Sequence, residues 1–390
     1  MRSTIGLLLL LAACASAPKR NAIPDALSEQ AQVEGIPLAR EWGDAPASYW
    51  KRHVELPGEE MRADWPALVG VEHSYLALSG GGANGAFGAG LLCGWTKAGN
   101  RPEFQVVSGI SAGALTAIFA FLGPEYDAVL EAAYTQTKTD DLIRQRNWLA
   151  TITSDAAADV DGLRARIREL VTDAMIDAVA REYARGRLLL IGTTNLDARR
   201  PVLWNIGEIA RSDRPERYDL VRDVLLASAS IPGLFPPVLF DVVARGKRFD
   251  ELHVDGGATA QVFLYPTAVD WTVFTRELRV KGKPRAFIVR NWKLSPMPAQ
   301  VKPKFFDIAG ASIQTLLRTQ GEGDLHRIYN TCLRDDIEFN LIAIPDGFLV
   351  PSKEFFDPDY MKSLFAVGFA LGKSGEGWMD TPPAFEVTPE

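Results

Sequence analysis

The chain has 390 residues, of which 47% are hydrophobic and 23% charged, so it can bury a large core and is not a disordered or fibrous chain. Its formal net charge of -7 contains no long block of one sign, which argues against a nucleic-acid partner. Three widely spaced cysteines exclude a dense disulfide or zinc framework.

Residues 1–13 have the pattern of an export signal. A basic Arg2 precedes a short apolar run, residues 5–11, which is too short to span a bilayer. The sequence LAAC at residues 11–14 resembles the bacterial lipobox, and this resemblance implies that Cys14 is lipidated and holds the protein at a membrane. Ala15 after the cysteine then indicates the cell envelope, at the outer membrane of a Gram-negative bacterium. The alternative is an ordinary cleaved signal in which the cysteine is coincidental.

Residues 14–70 show no regular helical or strand spacing of apolar residues, and we interpret them as a lipidated tether and arm. Four aromatic residues indicate that part of the arm packs on the main body, because disordered linkers carry few aromatics: Trp42, Tyr49, Trp50 and Trp65. Residues 71–390 are predicted to form one main domain.

From residue 74 short apolar strands alternate with helical stretches. Strands are predicted at 75–78, 104–107, 187–193, 201–206, 285–290 and 337–344, and helices at 86–98, 112–122, 162–184 and 214–228. This alternation is typical of an α/β fold, and we expect a three-layer sandwich with a central, mostly parallel sheet.

A glycine-rich loop, SGGGANGAFGAG at residues 79–90, lies between the first predicted strand and helix. Gly80, Gly82 and Gly85 fit the G-x-G-x-x-G spacing of a dinucleotide site, with a pyrophosphate at the helix N-terminus. The same bare backbone N–H groups can instead stabilise an oxyanion in an acyl hydrolase. This motif alone leaves both interpretations open.

The next strand and helix are joined by Gly109-Ile110-Ser111-Ala112-Gly113, a G-x-S-x-G sequence. Between a strand and a helix this pattern is typical of a nucleophile elbow, in which a strained turn exposes the serine and small flanking residues allow close packing. We therefore predict Ser111 as a nucleophile. The alternative is a serine that only caps the helix.

A serine hydroxyl needs a base that accepts its proton. Asp255 ends a short apolar stretch and is followed by Gly256 and Gly257, which leave its carboxylate uncovered. Burial in an apolar cleft would raise its pKa and make it a stronger base. The order Ser111, Asp255, His326 also matches a hydrolase triad, but His326 follows no strand end.

These three motifs, in this order, resemble those of the patatin-like phospholipases, and the resemblance covers about residues 74–345. It implies a Ser-Asp dyad in which Ser111 is the nucleophile and Asp255 the base. It also implies an oxyanion hole in the loop that contains Gly80, Gly81, Gly82, Asn84 and Gly85. The family often has Lys or Arg where this chain has Asn84, so a preference for charged phosphate groups is less secure.

The resemblance makes residues 71–390 a catalytic domain that hydrolyses lipid or small carboxylic esters without metal or organic cofactor. Ile231-Pro232-Gly233-Leu234-Phe235 and the following residues can line an acyl channel or belong to the core. Two other functions remain: a catalytically silent envelope scaffold, and a dinucleotide-binding oxidoreductase. The oligomeric state does not follow from the sequence.

Overall fold

The computed structural model describes residues 20–45, 48–142, 144–145 and 158–383. The described strands are β1 Arg40–Trp42, β2 Ser74–Leu78, β3 Val106–Ile110, β4 Arg144–Gln145, β5 Ala158–Asp159, β6 Leu188–Asn195, β7 Arg200–Asn205, β8 Val238–Ala244, β9 Lys247–Asp255, β10 Arg285–Arg290 and β11 Glu338–Ala343. The predicted export signal and Cys14 lie outside the described residues.

The described helices lie mostly between these strands. They are α1 Asp25–Ser28, α2 Ser48–Val54, α3 Gly58–Asp64, α4 Gly85–Ala98, α5 Ala112–Leu122, α6 Asp127–Thr135, α7 Thr139–Leu142, α8 Asp161–Leu170, α9 Asp173–Ala184, α10 Ile206–Ala210, α11 Arg217–Ser228, α12 Trp271–Glu277, α13 Phe305–Arg334 and α14 Pro358–Ser374. In the described ranges no helix is both long and apolar enough to cross a bilayer.

Nine of the described strands form one sheet, whose continuous path is β1-β7-β6-β3-β2-β10-β11. The five strands from β6 to β11 on this path are parallel, whereas β7 is antiparallel to both β6 and β1. Strand β9 joins the far end of β6, and β8 pairs with β9, both in antiparallel fashion. The prediction of a mostly parallel central sheet is confirmed.

Two apolar cores cover the two faces of this sheet. The larger core buries side chains of α4, α5, α9, α11 and α14, including Phe87, Ile118 and Leu364. The other core buries side chains of α12 and α13 together with residues of the arm, including Trp271 and Trp50. The two helical layers therefore enclose the sheet, as a three-layer α/β sandwich requires.

The arm takes part in this architecture. Strand β1 pairs with β7, and Trp50 packs against Trp271 in the second core, with ring centroids 5.1 Å apart. The guanidinium of Arg200 stacks on Trp42, with Arg200 Cζ 4.3 Å from the centroid of the Trp42 ring. The sheet thus extends into the segment that the sequence suggests is an arm.

Several elements differ from their predictions. The single helix expected over 162–184 is two helices, because the chain leaves the helical conformation at Val171 and Thr172 caps the second helix through its side chain. The hairpin of β8 and β9 is longer than the short strand expected before Asp255. The long helices α13 and α14 were not predicted.

Candidate active site

Ser111 occupies the turn between β3 and α5 in a strained backbone conformation. Its φ of 55° and ψ of -125° are unusual for a residue with a side chain and cost on the order of 1–3 kcal/mol. A Cβ on Gly109 would lie 2.5 Å from the Gly113 carbonyl oxygen, and one on Gly113 would lie 2.3 Å from the Leu78 carbonyl oxygen. Only glycine fits at these two positions, so the helix can start directly behind the strand.

The length of β6 brings Asp255 to this turn. Strand β6 pairs with β3 up to Gly192, which lies opposite Ile110. Its next residue, Thr193, lies opposite Asp255 at the end of β9. Strand β9 therefore occupies the space beyond the end of β3, where the Ser111 hydroxyl interacts with the Asp255 carboxyl group and lowers its pKa.

The Asp255 carboxyl group is buried without a cationic partner. Burial raises its pKa to about 6, although hydrogen bonds from Ser111 and from the Gly257 amide partly offset that effect. The Gly257 bond measures 2.7 Å. A Cβ on Gly256 would lie 2.5 Å from the Gly192 carbonyl oxygen, so the tight turn after Asp255 requires glycine there. The carboxyl group is consequently held in place, and its pKa lies well above the ordinary range of an aspartate.

The glycine-rich loop begins at β2 and contains a short 3₁₀ turn, Gly82–Asn84, before α4. Three of its amides already have backbone acceptors: Gly80 donates to Gln261, Asn84 to Gly81, and Gly85 to Gly82 and Ala83. Within the described residues the Gly81 and Gly82 amides have no such acceptor. The loop residue nearest to the nucleophile is Gly80, where a Cβ would lie 3.3 Å from the Ser111 Cβ.

Asn291 anchors the loop, and no sequence pattern indicated this role. Its backbone amide donates to the Ser79 hydroxyl, and its side-chain amide donates to the Ser79 carbonyl oxygen at 2.8 Å. Its side-chain oxygen accepts from the Gly88 amide at 3.1 Å. Gly81 is close to it as well, because a Cβ there would lie 2.7 Å from the Asn291 Cβ.

Ser228, the last residue of α11, hydrogen-bonds to the Ser111 turn. No sequence pattern predicted this role either. Its hydroxyl accepts from the Ser111 amide at 3.0 Å and donates to the Gly192 carbonyl oxygen at 2.7 Å. Two residues later, the Ser230 carbonyl oxygen accepts from the Asp255 amide at 2.9 Å.

Asn84 does not act as a free substitute for a cation. Its side-chain oxygen accepts a hydrogen bond of 2.6 Å from the Tyr360 hydroxyl of α14. This contact engages the side-chain oxygen of Asn84 with α14, so its NH₂ group is the part of the side chain that can donate a hydrogen bond to a substrate. A negatively charged head group would find no formal charge at this position.

An apolar pocket opens at Ser111. It measures about 820 Å³ when the space open to solvent is included. Its lining comes mainly from α5, α6, α8 and the segment after α11: Gly82, Ser111, Ala112, Leu115, Phe119, Ala133, Tyr134, Thr137, Leu142, Leu163, Arg166, Ile167, Leu170, Val171, Ala229, Ile231, Phe235, Phe356 and Met361. Apart from Gly82 of the glycine loop and Ser111 and Ala112 of the elbow, Ile231 and Phe235 are the only members that the sequence suggested.

A second buried carboxylate, Glu251, lies on β9 four residues before Asp255. The Arg40 guanidinium pairs with it, and His253 Nε2 lies 3.2 Å from its carboxylate. Because a carboxylate only accepts, His253 Nε2 carries the proton, and Nδ1 accepts from the Thr193 hydroxyl at 2.9 Å. Burial alone would raise the pKa of Glu251, but His253 and Arg40 together hold it below its ordinary range.

No cluster of three or more metal-binding side chains occurs in the part of the chain that the structure describes. The groups that meet at Ser111 are a hydroxyl, a carboxylate, bare amides and an apolar pocket. This set is suited to acyl transfer, in which a nucleophile, a base and oxyanion donors must converge.

Comparison with known proteins identifies one domain of the chain. No curated protein matches the chain. Among solved structures, the crystal structure of VipD from Legionella pneumophila matches with 12% sequence identity and a TM-score of 0.34, over 76% of this chain and 67% of that chain. The family model described as patatin-like phospholipase matches residues 76–267. This chain carries a patatin-like phospholipase domain.

The patatin-like domain spans the glycine loop, the elbow and the turn after Asp255. The match supports a lipid-hydrolase domain over residues 76–267, as the resemblance of the three motifs predicted. The individual roles of its residues remain predictions.

Proposed function

We propose that the protein hydrolyses carboxylic esters of lipids through a dyad of Ser111 and Asp255. The observation that carries this proposal is the interaction of the strained Ser111 with a buried carboxyl group beside an apolar pocket. A base whose pKa lies near the working pH combines adequate proton affinity with a large ionised fraction.

In the first step, the Asp255 carboxylate accepts the Ser111 proton while Ser111 Oγ bonds to the ester carbonyl carbon. The resulting tetrahedral intermediate carries an oxyanion. When it collapses, the bond to the alcohol oxygen breaks, and Asp255 returns the proton to that oxygen. The alcohol leaves, and the acyl group stays on Ser111 as an ester.

In the second step, Asp255 accepts a proton from water while the water oxygen bonds to the acyl carbon. Collapse of the second intermediate breaks the bond to Ser111 Oγ, which regains the proton. The fatty acid then departs and the dyad is restored. The same carboxylate thus serves as base and acid in both steps.

The amides of Gly81 and Gly82 are the best oxyanion donors in the loop, because the other predicted donors already have backbone acceptors. One such donor is typically worth about 3 kcal/mol of barrier. Asn291 fixes the loop, so these amides need little reorganisation during the reaction.

The pocket supports a substrate with an apolar acyl chain. Its lining near Ser111 includes Leu115, Phe119 and Ile167, and such a surface favours hydrocarbon over a polar group. Since Asn84 supplies no charge, the proposal covers neutral glycerides and lysophospholipids as well as phospholipids.

A chromogenic short-chain ester and a fluorophosphonate probe test this proposal together. The wild type should hydrolyse the ester and be labelled at Ser111, and Ser111→Ala should show neither property. A screen of phospholipids, lysophospholipids and neutral glycerides then defines the substrate. Absence of both hydrolysis and labelling in a folded wild type would favour the silent scaffold, and an adduct at another serine would reject the elbow.

A further inference from the structure

Exposed apolar side chains are concentrated in two segments of the molecule. Of the thirteen large hydrophobic residues exposed in the described part of the chain, eight lie in residues 297–316 and 349–355. We call these eight residues the apolar rim: Met297, Val301, Ile308, Ile313, Leu316, Leu349, Val350 and Phe355. Exposed apolar residues grouped in this way mark an interaction surface.

Both segments follow the carboxyl ends of parallel strands. The first follows β10 and the second follows β11, and these strands run in the same direction as β3, which ends at the Ser111 turn. Lys293 Nζ donates to the Asp346 carbonyl oxygen at 3.0 Å, and Ser295 hydrogen-bonds to the Asp346 side chain, so the loops that lead into the two segments are joined. The rim and the nucleophile therefore belong to the same edge of the sheet.

Helix α13 extends outward from this edge. The Arg290 guanidinium, at the end of β10, packs so closely on Gly321 that a Cβ there would lie 2.2 Å from its Nη2. Since α13 starts at Phe305, about 24 Å of helix precedes Gly321 at 1.5 Å per residue. None of the residues 307–320 is buried. This half of the helix thus projects beyond the sheet with its apolar residues in solvent.

The rim continues to the mouth of the pocket. Phe356 lines the pocket that opens at Ser111, and its neighbour Phe355 is 53% exposed. On the other side of the site, the Asp324 side chain of α13 accepts from the Gln261 amide at 2.6 Å, and the Gln261 carbonyl oxygen accepts from Gly80. Both segments of the rim are therefore connected to the catalytic edge through described contacts.

The charges beside the rim suit an anionic surface. Residues 293–316 contain three basic residues, Lys293, Lys302 and Lys304, and one acidic residue, Asp307, in a chain whose net charge is -7. The exposed Ile and Leu side chains of α13 can enter the apolar part of a membrane interface, although they do not form one continuous apolar face along the helix. Lysines near such a surface add attraction to anionic lipids.

We propose that the apolar rim docks on the surface of a lipid bilayer that contains anionic lipids. The pocket mouth then faces the bilayer, and the acyl chain passes from lipid to pocket with little exposure to water. The choice of a bilayer over a protein partner rests on the proposed lipid substrate. Docking by the rim is separate from anchoring through Cys14.

Vesicle binding tests the proposal on the full chain with Cys14→Ser, so that lipidation cannot hold the protein. A rim variant carries Ile308→Ser, Ile313→Ser and Leu316→Ser. A control variant changes three other exposed apolar residues, which are 38–45% exposed against 50–69% for the three rim residues: Val129→Ser, Leu196→Ser and Leu239→Ser. In co-sedimentation with phosphatidylcholine–phosphatidylglycerol vesicles, the rim variant should bind at least tenfold more weakly than its parent, and the control should stay within twofold. Equal binding of all three proteins would overturn the proposal.

Rates of hydrolysis on two kinds of ester distinguish failure of the docking proposal from failure of the proposed function. The ratio of the rate on a vesicle-embedded ester to the rate on a soluble ester should fall about tenfold in the rim variant and stay constant in the control. If the wild type cleaves no ester but the binding difference persists, the proposed function fails and the docking surface stands. If the rim variant changes the oligomeric state and leaves vesicle binding intact, the rim is a protein interface and the proposal is wrong.

Discussion

Strand β9 carries two buried carboxylates, and their surroundings are opposite. Glu251 faces the guanidinium of Arg40 and the ring of His253, which keep it ionised. Asp255 faces only a hydroxyl and an amide, and its pKa rises to about 6. The comparison teaches that burial alone does not make a base. Burial raises the pKa of a carboxyl group, and so makes its carboxylate a stronger base, where no nearby cation offsets the effect.

Asp255→Asn should produce the largest effect on catalysis. The substitution keeps the shape but removes the proton acceptor, so turnover should fall by about 10²- to 10⁴-fold. Ester hydrolysis and the melting temperature, measured side by side, check this. Full activity in a folded Asp255→Asn protein would break the comparison and return His326 to consideration.

Glu251→Gln should mainly affect stability. It leaves the buried Arg40 charge unpaired, and removal of one partner of such a pair costs about 3–5 kcal/mol of unfolding free energy. Turnover per folded molecule should fall far less than in Asp255→Asn. Denaturant unfolding measures the loss.

The matched control is the double variant Arg40→Met with Glu251→Met, which removes both charges and should recover much of that stability. A Glu251→Gln protein as stable as the wild type would show that the ion pair does not stabilise this end of β9.

The pH dependence of the unfolding free energy, measured for the wild type and for Asp255→Asn, tests the difference between the two carboxylates further. The pKa of Asp255 is higher in the folded than in the unfolded chain, so its contribution to stability is greatest at low pH and is lost as the pH rises toward about 6. Between pH 4 and pH 7 the difference in unfolding free energy should shift by about 3 kcal/mol in favour of Asp255→Asn. Wild-type turnover should fall as the pH drops through about 6.

Denaturant titrations of both proteins at several pH values measure this shift, because other groups titrate equally in the two and cancel. Parallel stability curves would mean that Asp255 titrates normally and that its surroundings resemble those of Glu251.

Ser228→Ala should have the smallest effect of the four. It removes the acceptor of the Ser111 amide and a bond to Gly192, at about 1–3 kcal/mol. Because the nucleophile loses its alignment, kcat should fall about tenfold with little change in KM. Ser230→Ala is the matched control, since that hydroxyl bonds only within its own helical turn, to Leu226. Equal kcat values for the two variants would contradict the positioning role of Ser228.

The sequence predicted those parts of the site that depend on local turn chemistry. Ser111 between small glycines and Asp255 before two glycines are recognisable because only certain residues fit such turns. Ser228 and Asn291 were missed, since each acts on backbone groups more than 100 positions away. A serine in a helix and an asparagine after a strand carry no mark of such contacts.

The fold, like the site, was predictable where it depends on local sequence and was missed where it depends on distant contacts. Central strands were predictable from their apolar runs, whereas α13 lacks a clear apolar face, and half of it contacts solvent. The break at Thr172 also escaped prediction, because the apolar spacing continues through it while the cap depends on one hydroxyl. The pocket comes from several helices whose apolar residues look like ordinary core.

The pairing of β6 with both β3 and β9 has a consequence for the newly made chain. Ser111 is synthesised long before Asp255, and its hydroxyl remains an ordinary alcohol until β9 reaches β6. Such distant pairings form slowly, since a long loop must close first. If Asp255 activates Ser111 as proposed, hydrolytic activity should appear only at a late stage of folding, after β9 has paired with β6.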